Sequence, residues 1–252
     1  MAEGAIDVSV EAGTPPLNEP AKRRSAPRTS PKWESDARER IKTAMRRFQK
    51  PLGDLVARDA NEGDTRVLVT DVLCDALGFD KYADLTTEYQ VKGEFADYGI
   101  RIDQQLVAFI EVKRATTKLN TRHLRQVEMY AVNEGVEWVI LTNGAHWQAY
   151  HITGGLPVTV ELALDIDLLG NETPAHKYNQ LFYLTRESFR KGQINELWRA
   201  KRATSPDSLC DALLSDPVLA ELRKELRRRT GHNVDEAELR RLLQSSVLPG
   251  KQ

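Results

Sequence analysis

Apolar positions recur at helical spacing from Trp33 onward, where Ile41, Ala44, Met45 and Phe48 share a face. Pro51 with Gly53 predicts the end of that helix. A second helix is predicted from about Glu62 to Leu77, with Val67, Leu68, Val72, Leu73 and Ala76 on one face. Gly78 suits the left-handed residue after its end. The period then falls to two: residues 88–91, 96–102 and 106–113 read as strands, the last two joined by a short turn around Asp103 and Gln104. Leu124, Val127 and Ala131 mark a helix over 121–134, closed by Gly135. Strands over 136–142 and 145–152 flank Asn143-Gly144, a strong two-residue hairpin signal. Beyond Leu181 the pattern is helical again. Thr185, Ser205 and Ser215 or Asp216 suit N-caps, Pro206 and Pro217 suit first turns, and a Leu219, Leu222, Leu226 stripe ends before Gly231. A last helix carries Leu239, Leu242 and Leu243.

These elements predict an α/β fold with the core order ααβββαββ, a mixed central sheet flanked by helices, and a C-terminal helical region. Residues 1–32 hold five prolines and few large apolar groups, so a disordered, Pro-rich basic tail is expected there. Its cluster of Lys22, Arg23, Arg24, Arg28 and Lys32 reads as a solvated linker. Residues 33–190 then form the main domain and 191–252 the helical region.

Charge narrows the function classes. With 36 Lys+Arg against 37 Asp+Glu, the net charge of -1 excludes a uniformly polycationic protein but leaves room for a local basic patch. No apolar run approaches the ~18 residues of a membrane span, and the N-terminus lacks the pattern of a secretory signal. Two lone cysteines, Cys74 and Cys210, cannot hold a four-ligand zinc, and reduced thiols in a cytoplasmic protein are expected. The five histidines show no zinc-ligand spacing.

Candidate chemistry lies on the third strand. Leu106, Ala108, Ile110 and Val112 alternate with Val107, Phe109, Glu111 and Lys113, so the strand is apolar on both faces until two opposite charges appear at its end. Burying such charges costs several kcal/mol unless they are paired or hold a metal. The preceding strand places Asp97, Gly99 and Arg101 on one face. If the turn consumes Asp103, Gln104 and Gln105, Asp97 falls opposite Glu111, with Cβ atoms about 5 Å apart. Two carboxylates about 4 Å apart repel by roughly 4 kcal/mol at an effective dielectric of 20, so the pair calls for a divalent cation or a shared proton. Oxygen ligands suit Mg²⁺ or Mn²⁺. Lys113 reaches the same volume, where it would orient a nucleophilic water or balance charge on phosphate.

Ala96-Asp97-Tyr98, then Glu111-Val112-Lys113, then Gln126-x-x-x-Tyr130, resembles the PD-(D/E)XK nuclease superfamily. The nearest resemblance is to the N-terminal nuclease domain of the restriction subunit of type I restriction-modification systems. Glu62-x-x-Thr65-Arg66, Ala76-Leu77-Gly78-Phe79-Asp80 and Leu141-Thr142-Asn143-Gly144 ahead of Trp147 extend it over roughly residues 34 to 190. The resemblance implies a restriction-endonuclease-like core and a metal-dependent endodeoxyribonuclease. It implies Asp97, Glu111 and the Val112 carbonyl as metal ligands, with Glu62 approaching from the first helix of the fold. Lys113 becomes the catalytic lysine, and Gln126 and Tyr130 the supporting pair. Ala96 stands where the motif usually has proline. No G-x-x-x-x-G-K-[ST] phosphate loop occurs, so the motor of those subunits is not carried over, and a separate motor or specificity protein is an expected partner.

From Lys113 to Arg125 the chain carries Lys113, Arg114, Lys118, Arg122 and Arg125 and no acid. Beside the acid pair, Arg114, Lys118, Arg122 and Arg125 are expected to contact the DNA backbone, which gives salt-dependent affinity without sequence readout. The rival expectation is a catalytically silent nucleic-acid-binding or partner-recruiting module that keeps the nuclease fold.

Overall fold

The helical period that begins near Trp33 runs past Pro51 and Gly53. Helix α1 spans Lys32–Ala57 with Pro51 inside it, so the predicted stop is corrected. An interior proline costs about 3 kcal/mol. Beyond it, however, Leu52 and Leu55 are 1% and 4% exposed, and burying two such side chains contributes about 1.5–3 kcal/mol each. The computed structural model describes residues 30–91, 94–155 and 157–247, without the side chains of Val91, Glu94 and Gln126. The expected tail lies almost wholly outside the described residues.

Helix α2 (Glu62–Asp71) starts at Asn61, whose side chain accepts the N–H of Asp64. It continues through a widened π turn at Val72–Ala76, and Gly78 (φ 79°) follows in the left-handed region. Thr65, Leu68, Val69, Val72, Leu73 and Ala76 form its buried face. Val67 is 65% exposed, off that face, which corrects the predicted stripe.

Six strands follow: β1 (Leu85–Val91), β2 (Glu94–Ile102), β3 (Gln105–Val112), β4 (Trp138–Thr142), β5 (His146–Thr153) and β6 (Thr159–Asp167). They lie in sequence order in one mixed sheet. Only β3 and β4 pair in parallel, joined through α3 (Arg125–Glu134) and the 3₁₀ turn before it. The sixth strand was not predicted, although Val160, Leu162, Leu164 and Ile166 alternate through it. A register shift opposite Ala149 and Tyr150 leaves Leu162 46% exposed. The β4–β5 connection is longer than the predicted two residues, because the Asn143 carboxamide oxygen accepts the N–H groups of both Ala145 and His146.

The sheet is covered on both faces. On one, α1, α2, α4 (Pro174–Leu181), α5 (Arg186–Arg190) and α6 (Gln193–Ala203) bury Ile41, Val69, Leu73, Leu181 and Ile194 with Ile100, Ile110 and Trp147. On the other, Leu124, Val127 and Ala131 of the α3 segment pack on Phe109, Val139 and Leu141. Helices α7 (Pro206–Leu213), α8 (Asp216–Thr230) and α9 (Glu236–Leu242) follow. Thr185 and Ser205 cap with their side chains, whereas Ser215 occupies its cap position without such a bond. Leu219 and Leu239 are buried, while Leu242 is 44% exposed. Among the described residues no helix is long and apolar enough to cross a membrane.

Candidate active site

The turn between β2 and β3 determines whether the acids meet. It has two residues, Asp103 and Gln104, both with positive φ (50° and 70°), as a type I′ hairpin turn requires. Such a turn pairs Ile102 with Gln105 and Arg101 with Leu106. The next pair is Ile100 with Ala108, so Val107 is an extra residue, a bulge on β3. Beyond it the register runs Gly99 to Phe109 and Tyr98 to Ile110, and the Asp97 carboxylate then meets the Val112 N–H beside Glu111. The predicted register is therefore reached by a tighter turn plus a bulge, rather than by a turn that consumes Gln105. The bulge also exchanges two faces: Val107 packs with the Ile110 cluster and Leu106 with the Phe109 cluster, opposite to strict alternation.

Asp97 Oδ2 accepts the backbone N–H of Val112 at 2.7 Å, and Lys113 Nζ donates to Glu111 Oε1 at 2.6 Å. Ala96 lies in one apolar cluster and Tyr98 in the other, so β2 changes face across Asp97. Opposite this break Glu88 has φ 49°. Burial is the largest influence on Asp97 and raises its pKa above the usual carboxylate value, outweighing the Val112 N–H and the nearby Arg66 and Lys113 charges. Burial likewise raises Glu111, with Asp97 and Glu62 adding negative charge against the opposing Lys113 bond. Burial alone would lower Lys113, but Glu111, Glu62 and Asp97 together raise it, so it stays charged.

The cluster sits at the carboxyl end of β3, where ligands bind in open α/β sheets. Glu62 opens α2, and Asn120 caps the 3₁₀ turn Thr121–Leu124, whose His123 feels the Lys113 and Glu62 charges. Glu62 acts as a charge on Asp97, Glu111 and Lys113. Tyr130 packs edge-on against Phe109, ring centroids 6.4 Å apart, and so braces β3 two residues before Glu111. Gln126 lies on α3, but its side chain is outside the described residues.

Arg114 does not stand free as a phosphate ligand. Its guanidinium pairs with Asp59, and Thr116 bonds the same carboxylate. Ala115 N–H donates to Ala60, and Asn143 Nδ2 to Thr117, so the loop leaving β3 is fastened to the α1–α2 connection and to the β4–β5 turn. Lys118, Arg122 and Arg125 are exposed and make no ion pair among the described residues.

Two neighbours were given no role from sequence, Arg66 although it stands in the Glu62-x-x-Thr65-Arg66 motif. Arg66, four residues after Glu62 and hence on the same side of α2, lies 3.4 Å from Asp97 Oδ1 and 3.7 Å from Glu88. His123 accepts the Asn120 N–H on Nδ1 at 3.3 Å, and burial and Lys113 together lower its pKa. Helical spacing from Glu62 could have assigned Arg66 to the acid cluster. Nothing in zinc-ligand spacing could have found His123.

The donor set fits a hard divalent cation. Asp97 and Glu111 offer carboxylate oxygens, and the Val112 carbonyl points to the same side as the N–H that Asp97 binds, as in any extended residue. Among the described residues no three His, Cys, Asp or Glu side chains are grouped to hold a metal, so Glu62 does not complete a trio. Mg²⁺ is commonly held by one or two carboxylates together with water and substrate phosphate, for which two acids suffice.

A mixed α/β sheet with acids and a lysine gathered at one strand end is consistent with a nuclease-like fold. The family model for the type I restriction enzyme R protein N terminus matches residues 61–161, from the α2 cap into β6. That stretch is less than half of the chain but contains Glu62, Arg66, Asp97, Glu111, Lys113, His123 and Tyr130. The similarity suggests a nuclease-like role. No curated protein and no solved structure matches the chain.

Proposed function

We propose that the chain is a Mg²⁺-dependent nuclease that hydrolyses DNA phosphodiester bonds, with Mn²⁺ as a substitute ion. The observation that carries this reading is the bond between Asp97 and the Val112 backbone, which holds one acid against the strand that presents Glu111 and Lys113. Bound by Asp97, Glu111 and the Val112 carbonyl, the cation would polarise a phosphoryl oxygen and acidify a water. Lys113, kept charged by three surrounding acids, orients the attacking water and offsets charge gathering on the phosphate. Glu62 adds an acid from the α2 side. Tyr130 keeps β3 in place, and the motif it shares with Gln126 is the family's supporting pair. Lys118, Arg122 and Arg125 hold the DNA backbone, and the family match supports DNA as substrate.

Cleavage of supercoiled plasmid in Mg²⁺ or Mn²⁺ tests this. The wild type should nick or linearise it, and Asp97→Ala and Lys113→Ala should each slow cutting at least about 100-fold. Variants as fast as wild type contradict the assignment.

One observation favours a second reading, a silent binding module that acts with a separate motor or specificity protein. Arg66 already engages Asp97, and Lys113 engages Glu111, so each acid has an internal cation. Salt-sensitive DNA binding without cutting in either metal would select it.

A further inference from the structure

Beside the acid cluster, between α2 and β1, lies a cavity of about 620 Å³ that the proposed chemistry does not use. Arg66 and Tyr98 belong to both: Arg66 reaches Asp97 from the cavity wall, and Tyr98 follows Asp97 on β2. The polar groups at its floor are satisfied within the protein. Tyr98 Oη donates to the Arg66 carbonyl at 3.0 Å, and Thr70 Oγ1 lies 2.9 Å from the same phenol. What remains for a ligand is apolar surface, with Lys81 as a cation and Asp71 as an acid among the lining groups, while Arg66 at the wall is already paired with Asp97 and Glu88. Ligand sites of about 300–1,000 Å³ have this character.

Two large side chains at the cavity lie in water without an internal reason: Tyr82 is 90% exposed and Val67 65% exposed. Tyr82 rides on a built turn. The Asp80 carboxylate accepts the N–H groups of both Tyr82 and Ala83, and Asp80 N–H donates to Asp84. Asp84 is buried and held by Arg186 Nε at 2.6 Å. An aromatic ring raised on a fixed turn is preorganised, so using it for contact costs little ordering entropy.

We propose that this cavity is a subsite for an unpaired deoxynucleotide of single-stranded DNA, which stacks its base on Tyr82 against Val67 while its backbone passes Lys81 and Arg66 towards the Asp97–Glu111–Lys113 cluster. The inference rests on the nuclease reading and deepens it by naming the substrate form. A nucleic acid has the required alternation of flat apolar faces and anionic links, and stacking on an aromatic tolerates any base. Continuity through Arg66 places the occupant on the strand that meets the acids. A base enters such a cavity only when out of the duplex stack.

Fluorescence anisotropy in EDTA, with the full chain and labelled oligo(dT) or a blunt duplex of equal length, tests the subsite without cutting. The wild type should bind oligo(dT) more tightly than the duplex. Tyr82→Ala should weaken oligo(dT) binding about 5- to 150-fold, the loss of one base stack, with little effect on the duplex, and Tyr82→Phe should bind as wild type. Because Tyr82 is exposed, the substitution leaves the core intact. Equal affinities of wild type and Tyr82→Ala for oligo(dT), or equal losses on both DNAs, would overturn the subsite. Plasmid cleavage reports separately: a wild type that cuts while Tyr82→Ala binds normally loses the subsite alone. A wild type that binds oligo(dT) through Tyr82 yet cuts nothing keeps the subsite and loses the nuclease reading.

Discussion

Asp97 and Val112 are joined across the β2–β3 pair by a 2.7 Å hydrogen bond from backbone N–H to carboxylate, beyond a bulge that realigns the two strands. The bond ties Asp97 to the residue between Glu111 and Lys113, so side-chain placement and strand register are one variable. Asp97→Asn keeps an oxygen for the Val112 N–H, whereas Asp97→Ala leaves that donor unpaired at a cost of about 1–3 kcal/mol. The alanine protein should therefore melt below the asparagine protein, by about 2–4 °C per kcal/mol in a chain of this size. Equal Tm values by calorimetry would show that the bond carries no stability.

Because burial raises the Asp97 pKa, its ionisation opposes folding. The sign follows from linkage: the native state holds the proton to higher pH than the unfolded chain, so the penalty is complete above the raised native pKa and vanishes below the unfolded value of about 3.9. In metal-free buffer Asp97→Asn should be more stable than wild type at pH 7.5, and the gap should close as the pH falls towards 4. Urea midpoints across that range would show it; a gap independent of pH contradicts the burial argument.

The basic stretch divides into a clamp and a surface. Arg122→Ala and Arg125→Ala should each reduce the slope of log K against log salt for DNA binding by about 0.9, one phosphate contact apiece. Arg114→Ala should leave the slope unchanged, since that guanidinium is spent on Asp59. Its loss should show instead as a slight fall in Tm, as expected for an exposed pair. A reduced slope for Arg114→Ala would place it on the DNA after all.

His151 makes the α6 contact sensitive to acid. Its ring stacks on Trp198 with centroids 3.6 Å apart and meets Trp138 edge-on at 5.0 Å, and burial holds its pKa below 6.5. The depressed native value means the unfolded chain takes the proton first, so this contribution is complete above about pH 6.5 and is lost as the pH falls below it. Wild type should lose more stability than His151→Phe between pH 7.5 and 5.5; parallel curves would contradict this.

Much of this site was legible as pattern. Alternation on the third strand and the register across the hairpin pointed to Asp97, Glu111 and Lys113, whereas Tyr130 was singled out by the family resemblance alone. The Val107 bulge was not legible, because an extra residue in a strand has no local code and only the packed faces show which side each neighbour takes. Pro51 failed as a stop because the burial of Leu52 and Leu55 outweighed local propensity. Arg114 looked like its exposed neighbours, and only the fold brings Asp59 to it from 55 residues away. The sixth strand did have a readable signal in its alternation from Val160 to Ile166.

The central claim is that Asp97 and Glu111 jointly hold a hard divalent cation. Calorimetric titration of Mn²⁺ into wild type, Asp97→Asn and Glu111→Gln tests it without any substrate. The wild type should bind, and at about 100 times Kd the ion should stabilise the fold by about 2.7 kcal/mol, with both heat and stabilisation lost in either variant. Binding of equal strength in all three proteins, or none in the wild type, would contradict the account.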